Sequence, residues 1–258
     1  MENTRTHLPF LLLSIRAEPQ AADDEERSVL RLGGLAATDL RTLNVSRQEL
    51  GHVDLDDWSG IILGGGPFNV SDPTPTKTET QRRVENELLD LMSRVVDADF
   101  PFLGCCYGVG TLGSVIGARI DRTYGEPVGA VGITLTPDGR ADPLFVDVPD
   151  SFDAYGGHKE AASTLPETAV RLAFSPTCPA QAFRVGENVY ATQFHPELDA
   201  AGLATRIDVY RDFGYFAPEE ADSLKVAAHA RDARYPAAIL ARFVQRYRRP
   251  RSGETGLR

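Results

Sequence analysis

The 258 residues are 42% apolar and 25% charged, and 27 basic against 37 acidic side chains leave a formal charge of −10. That length allows one large domain or two small ones with a substantial core. The negative balance excludes nucleic acid and acidic membranes as expected partners, since both require a concentrated positive patch. Three cysteines do not make a disulfide framework, so the thiols are expected to stay reduced in a cytoplasmic protein.

Leu8–Ile15 is a continuous apolar run of the kind found in a strand covered on both faces. It is too short to span a bilayer. With Arg16 and Glu18 close behind it and no small-residue cleavage site, it makes a poor signal peptide. The acidic stretch from Asp23 to Glu26 opens a helix that ends near Gly33-Gly34. Leu40–Val45 and Gly60–Leu63 are the next strands, and the latter stops in Gly64-Gly65-Gly66-Pro67. A Pro- and Thr-rich loop from Asn69 to Lys77 follows. Thr78 and Gln81 then form a capping-box pattern, and Val84, Leu88, Leu91, Met92, Val95 and Val96 make a helical stripe. Phe100–Leu103 is a fourth strand running into Gly104-Cys105-Cys106-Tyr107-Gly108. Strands alternating with helices in this order imply a parallel sheet with helices on its faces.

After about Ile120 the pattern shifts to strands joined by turns: Val128–Leu135, Leu144–Val148, Ala169–Phe174 and Ala182–Phe194, the last with a hairpin turn at Gly186-Glu187-Asn188. From Asp199 it becomes helical, over Leu203–Tyr210, Glu219–Ala230 and Pro236–Tyr247. The basic stretch Arg246–Arg251 reads as a solvated helix end, where cations complement the helix dipole. No linker or internal repeat divides the chain. One domain over 1–258 is expected, with a core from about 8 to 197 and a helical C-terminal extension over 198–258.

Three positions carry chemistry. Gly104-Cys105-Cys106-Tyr107-Gly108 has the form G-x-C-x-G at a strand-to-helix junction. A nucleophile there sits on a tight turn whose flanking glycines remove clashing Cβ atoms, and the helix N-terminus favours the reactive thiolate. Only Cys106 has glycines at both −2 and +2, which makes Cys105 the last inward-facing residue of the strand. In Gln193-Phe194-His195-Pro196-Glu197 a histidine can take and return the thiol proton while a carboxylate orients its ring. In Leu63-Gly64-Gly65-Gly66-Pro67 the glycines let backbone N–H groups face a ligand. No Lys-Ser/Thr follows as a phosphate loop requires, and G-x-G-x-x-G is absent. An oxyanion hole remains, with one donor from Gly65 or Gly66 and another from Tyr107. Taken singly, each motif has a plain alternative: buried cysteines, a surface turn, a tight turn.

Taken together and in order, Gly-Gly-Gly-Pro, Gly-Cys-Cys-Tyr-Gly and Phe-His-Pro-Glu resemble the class I glutamine amidotransferases, in particular the glutaminase domain of GMP synthetase. The resemblance runs from about Leu8 to Glu197. It implies a flavodoxin-like, doubly wound, mostly parallel sheet with a small antiparallel sheet beside it. It also implies a triad of Cys106, His195 and Glu197, no cofactor and no metal. Two places depart from the family pattern. Gly110 stands where the family has a substrate-binding glutamine, four residues past the nucleophile. Gly157-His158-Lys159-Glu160 stands for the family's Ser-His-Gly-Asp, with His158 in the matching place for a substrate contact.

Three functions follow as expectations. The first is a free-standing glutaminase that hands ammonia to a partner synthase. The second is a γ-glutamyl peptide or conjugate hydrolase or transferase using the same triad, with Gly110 opening the pocket. The third is a non-catalytic regulatory module on the same scaffold. The Asn69–Lys77 loop lies beside the oxyanion glycines, in the place of a gate or of a plain solvent-exposed loop.

Overall fold

In a computed structural model, which describes residues 7–251, the apolar runs become strands in the expected order. The first half comprises β1 (Phe10–Ser14), α1 (Pro19–Gly33), β2 (Leu40–Asn44), β3 (Gly60–Leu63), α2 (Glu79–Asp97), β4 (Phe102–Cys105) and α3 (Tyr107–Ile116). The second half adds β5 (Arg119–Asp121), β6 (Glu126–Leu135), α4 (Pro137–Ala141), β7 (Ser151–His158), β8 (Ala161–Thr164), β9 (Ala169–Phe174), β10 (Ala182–Val185) and β11 (Val189–Thr192). Three helices close the chain: α5 (Ala200–Val209), α6 (Ala221–His229) and α7 (Pro236–Tyr247).

The large sheet has the order β2-β1-β3-β4-β11-β10-β9-β6-β7, and β5 pairs with β8 in a small antiparallel sheet. From β2 to β11 all pairs are parallel; from β11 to β7 all are antiparallel. The α/β, doubly wound architecture is therefore the expected one. Its order reverses between β1 and β3, and in such sheets the crevice at the carboxyl ends of these strands is where ligands bind.

Both faces are covered. Val29 of α1 and Ile239, Leu240, Phe243 and Val244 of α7 pack with Phe10 and Leu12 on one side. The Phe10 and Phe243 rings meet with centroids 6.0 Å apart. On the other side Val84, Leu88 and Leu91 of α2 and Val109 and Leu112 of α3 pack with Leu11, Leu13 and Leu63. The last helix is thus an integral wall of the core. The Thr78 hydroxyl caps α2 by accepting the Gln81 N–H at 3.1 Å, as the sequence pattern predicts.

Two departures have clear causes. Leu144–Val148, expected as a strand, is a series of turns. Asp142 takes that segment over: its carboxylate accepts the Leu144 N–H at 3.0 Å and Arg184 Nε at 2.9 Å, and its carbonyl accepts the Phe145 N–H. Leu144 and Phe145 are still buried, so their apolar character reports burial and not extension. Conversely, β7 and β8 were not expected. β7 contains Asp153, Gly156, Gly157 and His158 and shows no clean alternation, yet it pairs with β6 from Glu126↔His158 to Thr134↔Ser151. Among the described residues no helix is long and apolar enough to cross a membrane.

Candidate active site

Gly104-Cys105-Cys106-Tyr107-Gly108 forms the junction of β4 and α3. Cys105 ends the strand fully buried, and Cys106 takes φ 56°, ψ −85°. A residue with a Cβ is strained in this region, and such strain concentrates where a side chain must be presented to a site. The elbow closes tightly: a Cβ on Gly104 would lie 2.8 Å from the Gly108 Cα. The Cys106 N–H is anchored to the Thr192 carbonyl at the end of β11, 2.7 Å away. The same strand end leads into Gln193 and His195. Gln193 Nε2 approaches Cys106 Sγ at 3.8 Å, and the His195 N–H donates to the Tyr155 carbonyl at 2.9 Å.

His195 and Cys106 face each other across Gly65. The point that a Gly65 Cβ would fill lies 2.6 Å from His195 Cε1, 3.4 Å from His195 Nε2 and 3.2 Å from Cys106 Cβ. His195 Nδ1 sits 2.7 Å from Glu197 Oε1, which selects the tautomer with the proton on Nδ1 and leaves Nε2 free to accept one. Tyr107 is the first residue of α3, so its N–H has no acceptor within the helix. It opens beside Cys106, with Gly65 and Gly66 across from it at the end of β3. The three expected triad residues and the glycine strip are therefore gathered at one strand-end crevice.

Electrostatics sharpen this picture. Burial pushes the Cys106 thiol up to about 12, against the pull of Arg16. This differs from the thiolate expected at a helix N-terminus, and burial is the largest cause. Burial also lowers His195 below its ordinary 6.5, and Arg206 adds to this while Glu197 opposes it. Glu197 is buried too, but His195 and Arg206 hold its carboxyl well below the usual carboxylate range. The resting pair is a neutral thiol beside a neutral imidazole.

Four residues in this constellation carry no sequence motif. Arg206, on α5, places Nη2 at 3.0 Å from Glu197 Oε1 and Nη1 at 3.0 Å from His195 Nδ1. Glu25, on α1, is fully buried; it accepts Ser14 Oγ at 2.8 Å and Arg16 Nε at 2.9 Å. A Cβ on Gly64 would meet its carboxylate at 2.5 Å. Arg16, just past β1, donates from Nη1 to the Tyr210 hydroxyl at 3.0 Å. Tyr215, between α5 and α6, donates to the Gly66 carbonyl at 3.4 Å. Arg16, Arg206 and Tyr215 line one cleft together with Cys106 and His195, and Glu25 stands behind its wall.

Gly110 and His158 do not line this cleft. A Cβ on Gly110 would stand 2.8 Å from both Glu160 Oε1 and Val70 Cγ2, so glycine here accommodates those two side chains. Glu160 in turn accepts the Val70 and Ser71 N–H groups at 2.9 and 2.7 Å, pinning the loop that follows the glycine strip. His158 is buried, with Nδ1 2.8 Å from the Glu160 carbonyl and Nε2 2.9 Å from Glu126 Oε2. Glu126 also accepts Ser175, Thr177 and Gln181. Burial works against its charge, but these donors bring its pKa from 4.5 down to about 2. A depressed carboxylate contributes stability that is fully present above 4.5 and lost as pH falls toward 2. Glu126→Gln is expected to cost about 1–3 kcal/mol at pH 7 and to flatten the acid side of the stability curve. Urea midpoints equal to wild type at pH 7 would contradict this. Among the described residues no cluster of His, Cys, Asp and Glu is arranged to hold a metal.

The family model for class-I glutamine amidotransferase matches residues 27–207. A glutamine-hydrolysing GMP synthase of Petrotoga mobilis is 26% identical over 186 residues, covering 69% of this chain and 32% of that one. A glutamine-hydrolysing GMP synthase subunit of Picrophilus torridus is 27% identical over 154 residues, covering 59% and 74%. The chain thus spans about a third of the length of the first relative. A glutamine amidotransferase structure from Thermotoga maritima superposes with a TM-score of 0.72 at 22% identity, covering 93% of this chain and 98% of its own. One from Methylobacillus flagellatus gives 0.71 at 17%, covering 97% and 100%. At such identities these two likenesses speak for the fold alone, whereas the family model covers well over half of the sequence. The chain belongs to the class-I glutamine amidotransferase family.

Proposed function

We propose that this protein hydrolyses the γ-amide of glutamine through a thioester on Cys106, and that a partner synthase uses the ammonia. The observation that carries the reading is the strained Cys106 facing His195 Nε2 across Gly65, with Glu197 on the far side of the imidazole. The thiol proton passes to Nε2 as Sγ attacks the γ-carbonyl carbon. The resulting oxyanion is held by the N–H of Tyr107 and that of Gly65 or Gly66. The imidazolium, stabilised by Glu197, returns its proton to the nitrogen as the C–N bond breaks and ammonia leaves. His195 then takes a proton from water as it attacks the thioester, and returns that proton to Sγ as the C–S bond breaks and glutamate leaves. Starting from a neutral thiol and a neutral base, the enzyme makes its charge only as bonds change.

The cleft continues past the nucleophile along Val128, Leu203, Ile207 and Phe216. This apolar extension supports a second reading, in which the departing group is the amine of a γ-glutamyl peptide or conjugate and not ammonia. A panel of glutamine and γ-glutamyl amides with the purified protein decides between them and tests both. Glutamate release and a γ-glutamyl adduct of Cys106 by mass spectrometry are expected. No glutamate from any member, with no adduct, would leave the non-catalytic reading in force.

The pH dependence follows from His195. Because burial lowers its pKa, the free base persists to more acidic pH than an ordinary histidine allows. The acid limb of kcat/KM is expected to have its midpoint below 6.5, the ordinary value. A midpoint above 7 would assign the limb to another group.

A further inference from the structure

The ionisable side chains that line the cleft are Arg16, Cys106, His195, Arg206, Tyr210 and Tyr215. Two are guanidiniums and none is a carboxylate. Their acidic counterparts stand behind the wall: Glu25 is 0% and Glu197 1% exposed. The chain as a whole carries −10, so this cationic lining is a local construction and not the background of the molecule. A cleft walled by one sign of charge in a low-dielectric setting concentrates the opposite sign.

The two arginines do different work. Arg206 is turned to His195 and Glu197. Arg16 touches neither. Its Nε is bound to Glu25 and its Nη1 to the Tyr210 hydroxyl, while its guanidinium lies 5.5 Å from the centre of the Tyr210 ring. Among the described residues Nη2 carries no hydrogen bond. A guanidinium held on two sides in this way is a preorganised, planar donor for a carboxylate. Its position suits that task. β1, β3 and β4 are adjacent in the sheet, so Arg16, the glycine strip and Cys106 head three neighbouring parallel strands. The contact is close: a Cβ on Gly66 would lie 2.5 Å from Ile15 Cγ1 and 3.3 Å from the Ile15 carbonyl.

We propose that Arg16 recognises a carboxylate of the acyl donor, remote from the bond that breaks, with Glu25 and Tyr210 fixing its orientation. This rests on the hydrolytic reading above and adds to it the residue that selects an acidic substrate. Two carboxylates share the required chemistry: the α-carboxylate of the glutamyl half, or one carried by the leaving amine.

Four compounds separate these: glutamine, glutamine α-amide, γ-glutamylglycine and γ-glutamylglycine amide. With wild-type protein, neutralising the carboxylate that Arg16 reads is expected to lower kcat/KM about 10- to 100-fold, chiefly through KM, as for loss of a charge-assisted hydrogen bond. A deficit for the α-amide places the glutamyl half against Arg16; a deficit for the peptide amide places the leaving group there. Arg16→Gln is expected to erase the discrimination, and Arg16→Lys to reduce it, because an ammonium lacks the fork. Wild-type protein that treats charged and neutral compounds alike would overturn the proposal, as would Arg16→Gln that still discriminates fully. If Arg16→Gln does not fold, Arg16→Lys decides in the same way. If none of the four is hydrolysed, the hydrolytic reading fails on its own account. Calorimetric binding of the same compounds then tests Arg16 separately: preference for a charged form supports it, and equal or no binding overturns it.

Discussion

Cys106→Ala is expected to lower ammonia release from glutamine roughly 10,000-fold or more, the scale on which loss of a nucleophile is felt when binding and the oxyanion hole remain. Neither other thiol can substitute: Cys105 and Cys178 are buried, and neither lines the cleft with His195 as Cys106 does. Cys106→Gly should be as inactive, but more stable than Cys106→Ala. The two variants lack the same sulfur and differ in whether a Cβ is held at φ 56°. Strain of this kind costs on the order of 1–3 kcal/mol. Glycine is free of it but gives back roughly 0.5–1 kcal/mol in unfolded-chain entropy. A difference of about 1 kcal/mol in favour of glycine is therefore expected from denaturant unfolding. Equal stabilities would mean that the elbow is not strained. Ammonia release by Cys106→Ala at the wild-type rate would remove Cys106 from the chemistry altogether.

What could be read from the sequence was whatever is local. Glycines at fixed offsets mark the elbow, short apolar runs mark the parallel strands, and the 3.6-residue stripe marks α2, because each of these patterns is imposed by backbone geometry within a few residues. The second half was less legible. Buried apolar side chains at Leu144 and Phe145 imitate a strand, whereas β7 is held by pairing with β6 and needs no pattern of its own. The charged surroundings of the site were illegible for a related reason. Glu25 reads as one more acid in a helix-opening run, and nothing marks Arg206 among the charges of α5. Only the docking of α1 and α5 over the strand ends brings Glu25, Arg16, Arg206 and Glu197 together. Gly110 is the instructive intermediate. Its departure from the family's glutamine was visible, but its consequence was not, since the space is taken by Val70 and by Glu160 from the turn after β7. Gly110→Gln would have to displace Glu160 from the Val70 and Ser71 amides before it could reach any substrate.

Gly65→Ala should be nearly as damaging to turnover as loss of the nucleophile's base, with the fold intact. The added methyl would sit 2.6 Å from His195 Cε1, closer than van der Waals contact permits, and 3.2 Å from Cys106 Cβ. The imidazole cannot yield cheaply. It is buried, its Nδ1–H donates to Glu197, and its backbone N–H is bound to the Tyr155 carbonyl. Either the ring is pushed off the line to Cys106 or the glycine strip retreats, which withdraws an oxyanion donor. A misplacement of about 1 Å at reacting groups costs on the order of 100-fold, and loss of one oxyanion donor about 100- to 1,000-fold. A fall in kcat of roughly 100- to 1,000-fold is therefore expected, with substrate affinity changed much less, because Arg16 and the apolar wall are untouched. Gly110→Ala is the matched control. Its methyl is as crowded, at 2.8 Å from Glu160 and Val70, but it presses on the loop anchor and not on the Cys106–His195 pair. It should cost stability more than turnover. If the two alanine variants lose kcat alike, crowding at Gly65 acts through the general fold, and the face-to-face placement of His195 and Cys106 is not what sets the rate.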